Sequence, residues 1–230
     1  MVDFSQHVII VRGGGDVGTG AIWRLRRVGF PVVVLELERP LTIRRTVSFS
    51  TAVTDGGIVI EGIEGIRVRS MADAISATED KVVPVLVSPQ LPDYPVSVVV
   101  DARLAKRNLG TSTDQAPFVV ALGPGFSAGD DCHAVVETKR GHDLGRVIWH
   151  GPAAANTGIP GVVGGESADR VLHAAIDGEL SWAVSFGDTV ESGQQIGAID
   201  DQPVRSRLDG TVRGLLHSGQ VAQSLKIADV

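Results

Sequence analysis

Short apolar runs alternate with amphipathic or glycine-rich segments through the first two thirds of the chain, and this pattern predicts a sheet of buried strands. Residues 8–11 form a β-branched run, and apolar positions then recur at helical spacing through residues 17–28. A second apolar run at residues 32–35 completes a β-α-β unit. The opening of the chain is therefore typical of one half of a doubly wound parallel sheet.

Further apolar runs extend this predicted sheet. Residues 58–69 alternate around a pair of glycines, which indicates a hairpin, and residues 71–77 form a short helix candidate. We therefore predict an α/β fold whose first domain, residues 1–165, is Rossmann-like with a mostly parallel sheet. Its other strands are expected at residues 82–87, 96–100, 118–122, 134–136 and 146–150.

The chain from residue 171 onward has only β-type patterning and contains an internal repeat. Residues 176–178, Ile-Asp-Gly, recur 32 positions later as Leu-Asp-Gly. The turn at residues 187–194 resembles that of biotinyl and lipoyl domains, so we predict a small all-β barrel-sandwich hybrid (biotinyl/lipoyl-like) domain at residues 166–230. Carrier domains place a lysine at the hairpin between the halves, whereas residues 200–203 contain none. Covalent biotin or lipoate is therefore not expected.

A glycine-rich loop separates the first predicted strand from the first predicted helix. Gly13, Gly15 and Gly18 fit the G-x-G-x-x-G pattern, in which the backbone approaches a phosphate at a helix N-terminus. Glu36 ends the next apolar run, where a ribose-binding acid is expected. The alternative is that the glycines only allow the strand and the helix to pack closely. The candidate binding residues of this region are Gly13, Gly14, Gly15, Asp16, Gly18 and Glu36.

Polar residues and glycines also follow the other predicted strands. Ligands of open α/β sheets bind beyond the carboxyl ends of strands, and arginine offers a planar fork for phosphate or carboxylate oxygens. These positions therefore favour a site for a small anion. Alternatively, the arginines form a solvated surface, Glu137 pairs with Arg140, and residues 156–157 belong to an ordinary turn. The candidates are Arg44, Arg45, Thr46, Asp101, Lys106, Arg107, Asn108, Gly123, Gly125, Glu137, Arg140, His142, Asn156 and Thr157.

Composition and charge narrow the classes of function. Hydrophobic residues make up 43% of the chain and charged residues 21%, as in globular proteins, and no apolar run is long enough to cross a bilayer. Most of the net charge of −6 arises after Pro160, where 5 basic residues stand against 10 acidic ones. This balance argues against general nucleic-acid binding. A single cysteine, Cys132, and the lack of a secretory pattern favour a cytoplasmic protein without a metal site.

Six segments, taken in order, resemble the selenium-dependent molybdenum hydroxylase system protein family of the YqeB type. They extend over nearly the whole chain, and the resemblance includes the C-terminal repeat. Several segments in one order are far more specific than the glycine pattern alone. The matching segments are residues 11–16, 43–49, 100–111, 122–126, 137–142 and 156–161.

The resemblance implies an accessory protein that matures or supplies the molybdenum cofactor for xanthine dehydrogenase-like molybdenum hydroxylases. That cofactor is a pterin dithiolene with a phosphate and often a linked nucleotide. On this hypothesis residues 13–18 hold the phosphate. Three residues orient the cofactor, namely Asp101, Asn108 and Glu137, and five neutralise its charge, namely Arg44, Arg45, Lys106, Arg107 and Arg140.

Two other functions are compatible with the same residues. The glycine pattern and Glu36 also favour an NAD(P)-dependent oxidoreductase. A non-enzymatic scaffold that docks onto a hydroxylase through its C-terminal domain is the second alternative. The three hypotheses differ in the ligand or partner that they predict, so binding experiments separate them.

Overall fold

The computed structural model describes residues 4–158 and 169–230, and these residues fall into two compact units. The first unit contains residues 4–40 and Thr46–Thr157, and the second contains Leu41–Arg45 together with Gly158 and residues 169–230. A five-residue segment from the first fifth of the chain is therefore part of the second unit. The predicted domain boundary at residues 165 and 166 lies outside the described residues.

The first unit consists of strands, three α-helices and three short 3-10 helices. The 3-10 helices are Arg45–Val47, which begins in the second unit, Phe49–Thr51 and Thr113–Gln115. The other elements, in chain order, are β1 (Ile9–Arg12), α1 (Asp16–Val28), β2 (Val32–Glu36), α2 (Ala52–Asp55), β3 (Gly57–Ile60), β4 (Ile63–Val68), α3 (Met71–Glu79), β5 (Val83–Val87), β6 (Val98–Asp101), β7 (Phe118–Leu122), β8 (Ser127–Ala128), β9 (Ala134–Val136), β10 (Val147–Ile148) and β11 (Gly151–Pro152).

Nine of these strands form one mixed sheet in the order β10-β9-β7-β6-β1-β2-β5-β4-β3. The seven inner strands run parallel, and the edge strands β10 and β3 are antiparallel to their neighbours. β1 lies at the centre, so that Arg12 at its end is in register with Leu35 on one side and Asp101 on the other. β8 and β11 form a separate antiparallel pair.

The β-branched strands of this sheet are buried on both faces. Ile9 and Val11 belong to a core cluster that also includes Ile22 of α1 and Phe49. Ile10, whose side chain points to the opposite face, packs in a cluster with Ala74 of α3. The continuous apolar runs seen in the sequence are therefore explained by packing on both sides of the sheet.

The prediction of a Rossmann-like first domain is wrong. The sheet is mixed, with an antiparallel strand at each edge, and the segments that lead into β6, β7 and β9 contain no α-helix, although a doubly wound fold places a helix in each such crossover. Residues 102–117 and 123–133 instead form loops, a 3-10 helix and the short strand β8. The physical reason is their composition, since glycine, proline and short polar residues interrupt any helical apolar stripe.

The second unit is built from short strands. Its described part contains three antiparallel sheets, with the orders β12-β20-β18, β16-β15-β13-β19 and β14-β17. The strands are β12 (Val171–His173), β13 (Gly178–Trp182), β14 (Thr189–Val190), β15 (Gln195–Ile199), β16 (Gln202–Arg205), β17 (Gly210–Thr211), β18 (Gly214–Leu215), β19 (Gly219–Val221) and β20 (Lys226–Asp229).

The prediction of a biotinyl/lipoyl-like barrel-sandwich hybrid is also wrong. The strands form several small sheets, and the core includes Ile43 from the distant segment Leu41–Arg45. The Ile43 carbonyl accepts a hydrogen bond of 2.8 Å from the backbone N–H of Leu215. The sequence repeat reflects similar turns before β13 and β17, and turn residues do not determine which strands pair.

The described helices are short. The longest, α1, has 13 residues, and none of the helices in residues 4–158 and 169–230 has the length and apolar character that crossing a bilayer requires.

Candidate functional site

The carboxyl ends of the parallel strands bring several of the predicted residues to one edge of the first unit. Arg12, Glu36 and Asp101 end three adjacent strands, β1, β2 and β6. The glycine-rich loop follows β1, and the second glycine turn follows β7. Because these strands are parallel neighbours, their ends and the loops after them form one continuous edge.

The backbone of the glycine-rich loop is bound by other parts of the first unit. Gly14 donates its N–H to Glu36 Oε2 over 2.8 Å. Its carbonyl accepts hydrogen bonds from the backbone N–H of Ser50 at 2.9 Å and from Thr19 Oγ1 at 3.1 Å. Gly13 donates its N–H to the carbonyl of Leu35 at 2.9 Å. These polar groups therefore have protein partners and are not directed at a ligand.

Close packing explains three of the loop glycines. A Cβ atom on Gly13 would lie 2.9 Å from the carbonyl oxygen of Ala102, and one on Gly14 would lie 2.9 Å from the nitrogen of Ser50. A Cβ on Gly18 would lie 2.5 Å from the carbonyl oxygen of Gly13. All three distances are shorter than a van der Waals contact. Packing, the alternative named for these glycines, therefore accounts for them without a ligand, and phosphate binding by the loop stays a prediction.

The first turn of α1 adds the positive end of a helix dipole to this edge. Its N-cap residue, Gly15, provides no side-chain cap, and the first N–H groups of a helix have no intrahelical acceptor. Asp16 lies in the same turn and brings a negative charge there.

Both carboxylate oxygens of Glu36 accept backbone hydrogen bonds, and one of these comes from the glycine-rich loop. Oε2 accepts from Gly14, and Oε1 accepts from the backbone N–H of Leu37 at 2.8 Å. Burial raises the pKa of Glu36, and the two backbone hydrogen bonds lower it by a smaller amount. To bind a ribose hydroxyl, Glu36 would have to share or release these contacts.

A buried charge cluster lies beside the loop at the end of β6. Asp101, which is 1% exposed, forms an ion pair with Arg103 and accepts a hydrogen bond of 2.6 Å from Thr111 Oγ1. The same hydroxyl accepts from Arg103 Nη2 at 3.1 Å and from Arg12 Nη1 at 3.3 Å. The guanidinium of Arg103 therefore donates to both the carboxylate and the hydroxyl, and that of Arg12 donates to the hydroxyl.

The pKa shifts follow from this arrangement. Burial opposes ionisation of Asp101, but hydrogen bonds from Arg103 and Thr111 and the charge of Arg103 outweigh it and lower the pKa of the carboxyl. The pKa of Arg12 is lowered mainly by burial and then by the charge of Arg103, and Asp101 offsets these effects only in part. An arginine remains charged in proteins, so the cluster carries one positive charge in excess.

The loop after Asp101 is held in place by Asn108. Its Oδ1 accepts from the backbone N–H of Thr111 at 2.7 Å, and its Nδ2 donates to the carbonyl of Thr111 at 2.8 Å and to Asp131 Oδ1 at 2.9 Å. Lys106 and Arg107 are exposed on this loop, and neither forms a hydrogen bond or an ion pair with the part of the chain described here. Asn108 therefore has a structural role, and the two cations are available to a ligand.

The second glycine turn packs against its neighbours as the first one does. Gly123 and Gly125 have positive φ angles of 79° and 102°, which favour glycine. A Cβ on Gly123 would clash with the side chain of Thr138, and one on Gly125 would clash with the backbone of Lys106 and Arg107. The turn therefore supports the cationic loop from one side.

Glu137 is buried at the end of β9 and binds backbone groups instead of Arg140. Its oxygens accept from the N–H groups of Lys139 and Ala154, both at 2.7 Å. Burial opposes ionisation, but backbone hydrogen bonds, first that of Ala154, and the charge of Lys139 outweigh it and lower the pKa of Glu137. Arg140 and His142 are exposed on the following turn. Glu137 thus anchors this turn, and the charged side chains lie at the surface.

The structure places the remaining predicted residues elsewhere. Arg44 and Arg45 belong to the second unit, where Arg44 pairs with Asp229 at 2.7 Å and Arg45 Nε donates to the carbonyl of Leu215 at 2.8 Å. Burial opposes ionisation of Asp229, but hydrogen bonds from Arg44 and Arg170 outweigh it and lower its pKa. Three further candidates are exposed in the first unit: Thr46, Asn156 and Thr157.

Arg12 is not among the predicted site residues, and Arg103 and Thr111 lie in the predicted segment 101–111 without being singled out as binding residues. Arg12 carried a usable signal, because an arginine that ends the β-branched run before a glycine loop lies at the carboxyl end of a buried strand. Arg103 and Thr111 lie close to predicted residues in the sequence, but their shared contact with Asp101 depends on the folding of the loop between them.

Cys132 is buried, and its pKa is raised to about 11 by burial and by the charge of Asp131. A thiol with this pKa is a poor nucleophile at neutral pH. Within residues 4–158 and 169–230, no group of three or more His, Cys, Asp and Glu side chains is arranged to hold a metal ion.

The comparison with known proteins agrees with part of the family resemblance. The chain is 45% identical over 230 residues to a protein of Escherichia coli (strain K12) described as uncharacterized protein YqeB. The match covers 98% of this chain and 42% of that protein, so the chain spans about two fifths of the relative's length. This identity over nearly the whole chain supports the YqeB family. No protein-family model matches the chain.

Two solved structures are similar to the chain over most of its length. One is an aspartoacylase family protein from Mesorhizobium loti, with 15% identity, coverage of 97% of this chain and 83% of that chain, and a TM-score of 0.30. The other is a succinylglutamate desuccinylase/aspartoacylase from Rhodobacter sphaeroides, with 16% identity, coverage of 97% and 84%, and a TM-score of 0.30. TM-scores this low assign neither a fold nor an activity to the chain.

Proposed function

We propose that the chain is part of an accessory protein that matures or supplies molybdenum hydroxylases in the selenium-dependent system, and that its first unit binds the phosphate or nucleotide part of the molybdenum cofactor. The family resemblance supplies the cofactor and the hydroxylase as partner. The excess of positive charge at the carboxyl edge of the sheet supports binding of an anion. The proposal places the protein in the cytoplasm.

The observation that carries the proposal is the contact between the glycine-rich loop and the cationic loop. Gly13 packs against the backbone of Ala102 and Arg103, so the beginning of the cationic loop, residues 102–111, lies directly beside the glycine-rich loop that precedes α1. Lys106 and Arg107 are exposed on that loop and have no ionic partner in the described part of the chain. The helix N-terminus and the two cations therefore belong to one edge, and both favour a negatively charged ligand.

The residues at this edge fit one part of the cofactor. Guanidinium, ammonium and backbone N–H groups are the donors that proteins use for phosphate. They would bind and orient the phosphate, while the pterin dithiolene would supply the molybdenum ligands when the cofactor is bound. We assign no residue to the pterin ring.

The test is a binding titration of the purified chain with molybdenum cofactor or a pterin nucleotide. Lys106→Gln is expected to weaken binding about tenfold, because a phosphate would lose a cationic partner. Lys81→Gln is the matched control, since Lys81 is also an exposed lysine with a positive φ, 64° against 61°, and lies before β5 at the opposite edge. Absence of binding at micromolar concentrations would rule the proposal out.

The two alternatives are outcomes of related experiments. Fluorescence titration with NADH tests the oxidoreductase, which has less support because both oxygens of Glu36 already accept backbone hydrogen bonds, from Gly14 and from Leu37. A pull-down of a molybdenum hydroxylase tests the scaffold. The second unit includes Leu41–Arg45, so the bait should be the full chain and not a C-terminal fragment.

A further inference from the structure

The charge cluster at the end of β6 is unbalanced. Asp101 is paired with Arg103, and Thr111, which is neutral, is the only hydrogen-bond partner of the Arg12 guanidinium among the described residues. Arg12 is only 7% exposed. A buried cation without a carboxylate is costly, because it gives up hydration without a compensating charge.

The second unit shows how this protein pairs a comparably buried arginine. Arg170, whose side chain is 8% exposed, binds Asp229 over 2.6 Å, and Arg44 binds the other oxygen of the same carboxylate. Arg12 has no such partner, although Asp101 is nearby, because the Asp101 oxygens are bound by Arg103 and Thr111. Among the described residues, Arg12 therefore has no carboxylate bound to it, and the nearby charge of Asp101 compensates its own charge only in part.

Part of the Arg12 guanidinium remains accessible. Among the described residues, the buried side-chain polar atoms without a partner are Arg26 Nε and Gln115 Oε1. Arg12 is not in this group although only its Nη1 has a hydrogen-bond partner in the described part of the chain, so the small exposed part of the residue, 7%, includes guanidinium nitrogen. A small solute can therefore approach the exposed nitrogen although most of the side chain is enclosed.

We propose that Arg12 binds one tetrahedral oxyanion, of the kind that free phosphate or a phosphate ester presents, at the carboxyl edge of β1. Thr111 and the Asp101–Arg103 pair fix the orientation of the guanidinium, and the anion supplies the missing negative charge. The inference rests on the proposed function only where the phosphate is taken to belong to the molybdenum cofactor, since the same site would bind free phosphate as well. It moves the main anion contact from the glycine-rich loop to the strand that precedes it.

The first experiment measures the affinity of the full chain for inorganic phosphate at constant ionic strength. Arg12→Met is expected to weaken phosphate binding at least about tenfold, and Arg12→Lys less, because lysine keeps the charge and loses the planar fork. Arg26→Met is the matched control, as Arg26 is also partly buried and donates to neutral carbonyls, those of Phe30 and Thr78. Equal affinities of wild type and Arg12→Met would overturn the inference.

A measurement on the unmodified chain covers the case in which Arg12→Met does not fold. The Nε–H resonance of Arg12 is expected to shift during titration with phosphate, whereas that of Arg26 stays in place. A titration without a shift at Arg12 contradicts the inference. A nucleoside monophosphate in place of phosphate separates the two sources of the anion, and tighter binding of the ester indicates that a phosphate ester is the natural ligand.

The inference and the proposed function fail in different ways. If Arg12→Met loses phosphate binding and wild type does not bind a pterin nucleotide, the anion site is supported and the molybdenum cofactor is ruled out as its ligand. If pterin nucleotide binding depends on Lys106 but is unchanged in Arg12→Met, the proposed cofactor stands and the role of Arg12 is overturned.

Discussion

The hydroxyl of Thr111 donates a hydrogen bond of 2.6 Å to the carboxylate of Asp101, ten residues earlier in the chain. This contact closes the cationic loop onto the sheet and gives both guanidinium groups of the cluster a common acceptor. The positions of Arg12 and Arg103 therefore depend on a neutral side chain.

Thr111→Val is expected to destabilise the chain by about 1–3 kcal/mol, because it removes the hydroxyl from a buried network while preserving the shape of the side chain. Urea unfolding measures the effect. Thr113→Val is the matched control, since Thr113 lies two positions further on, and no hydrogen bond is seen for its side chain in the described residues. A similar loss of stability in both variants would contradict the network.

Asp101→Asn is expected to reduce stability at neutral pH by about 3–5 kcal/mol, the usual cost of breaking a buried ion pair. The folded-state pKa of Asp101 lies below its ordinary value, so its stabilising effect is complete above about pH 4 and is lost as the pH falls through the folded-state pKa. The stability difference between wild type and Asp101→Asn should therefore shrink in acid.

Unfolding free energies at several pH values between about 3 and 7 test this expectation. Asp143→Asn is the control, because Asp143 pairs with Arg146 at the surface, where the two side chains are 58% and 69% exposed. Surface pairs contribute little, so this variant should track wild type at every pH. A difference for Asp101→Asn that does not depend on pH would show that the lowered pKa is not the cause.

Two glycines of α1 are expected to respond oppositely to alanine. Gly18→Ala places a methyl group 2.5 Å from the carbonyl of Gly13, and the required shift should cost about 1–3 kcal/mol. Gly20→Ala points into open space and should stabilise the helix by up to about 1 kcal/mol. Thermal unfolding of both variants checks the prediction, and equal effects would indicate that the loop is not closely packed.

Asp229→Asn is expected to destabilise the second unit by about 3–5 kcal/mol, because Arg44 and Arg170 would both lose the carboxylate that binds them. Near-ultraviolet circular dichroism reports the loss through Trp182, which packs against the core of this unit and donates to the carbonyl of Leu216. Wild-type stability of this variant would mean that solvent replaces the carboxylate without cost.

The local elements of the first unit were predictable because they depend on short-range apolar patterns. The helix predicted at residues 17–28 is confirmed as α1, the run at residues 32–35 as the body of β2, and the hairpin at residues 58–69 as β3 and β4. The spacing of apolar residues predicts the type of each element, but not always its buried face: Val17 and Val28 of α1 are exposed, and Ile22 is buried.

The fold class was not predictable in the same way. Residues 102–117 are ordered by side-chain contacts such as those of Asn108 with Thr111 and Asp131, which have no periodic signature. The prediction of the site residues was affected for a related reason. Arg44 and Arg45 follow a strand of the first unit in the sequence, but they belong to the second unit. The sequence marks Arg12 only as the charged end of a buried strand, since its contact with Thr111 depends on the folding of residues 102–111.

The assignment of Leu41–Arg45 to the second unit has a consequence for biosynthesis and for proteolysis. Arg44 and its partner Asp229 are 185 residues apart. The contacts of Ile43 and Arg44 can therefore form only after the ribosome has synthesised β18 and β20. After folding, a single cut between residues 46 and 157 would divide the backbone of the second unit into two pieces held together only by noncovalent contacts. Nicked protein should therefore remain associated in native buffer and separate in denaturant.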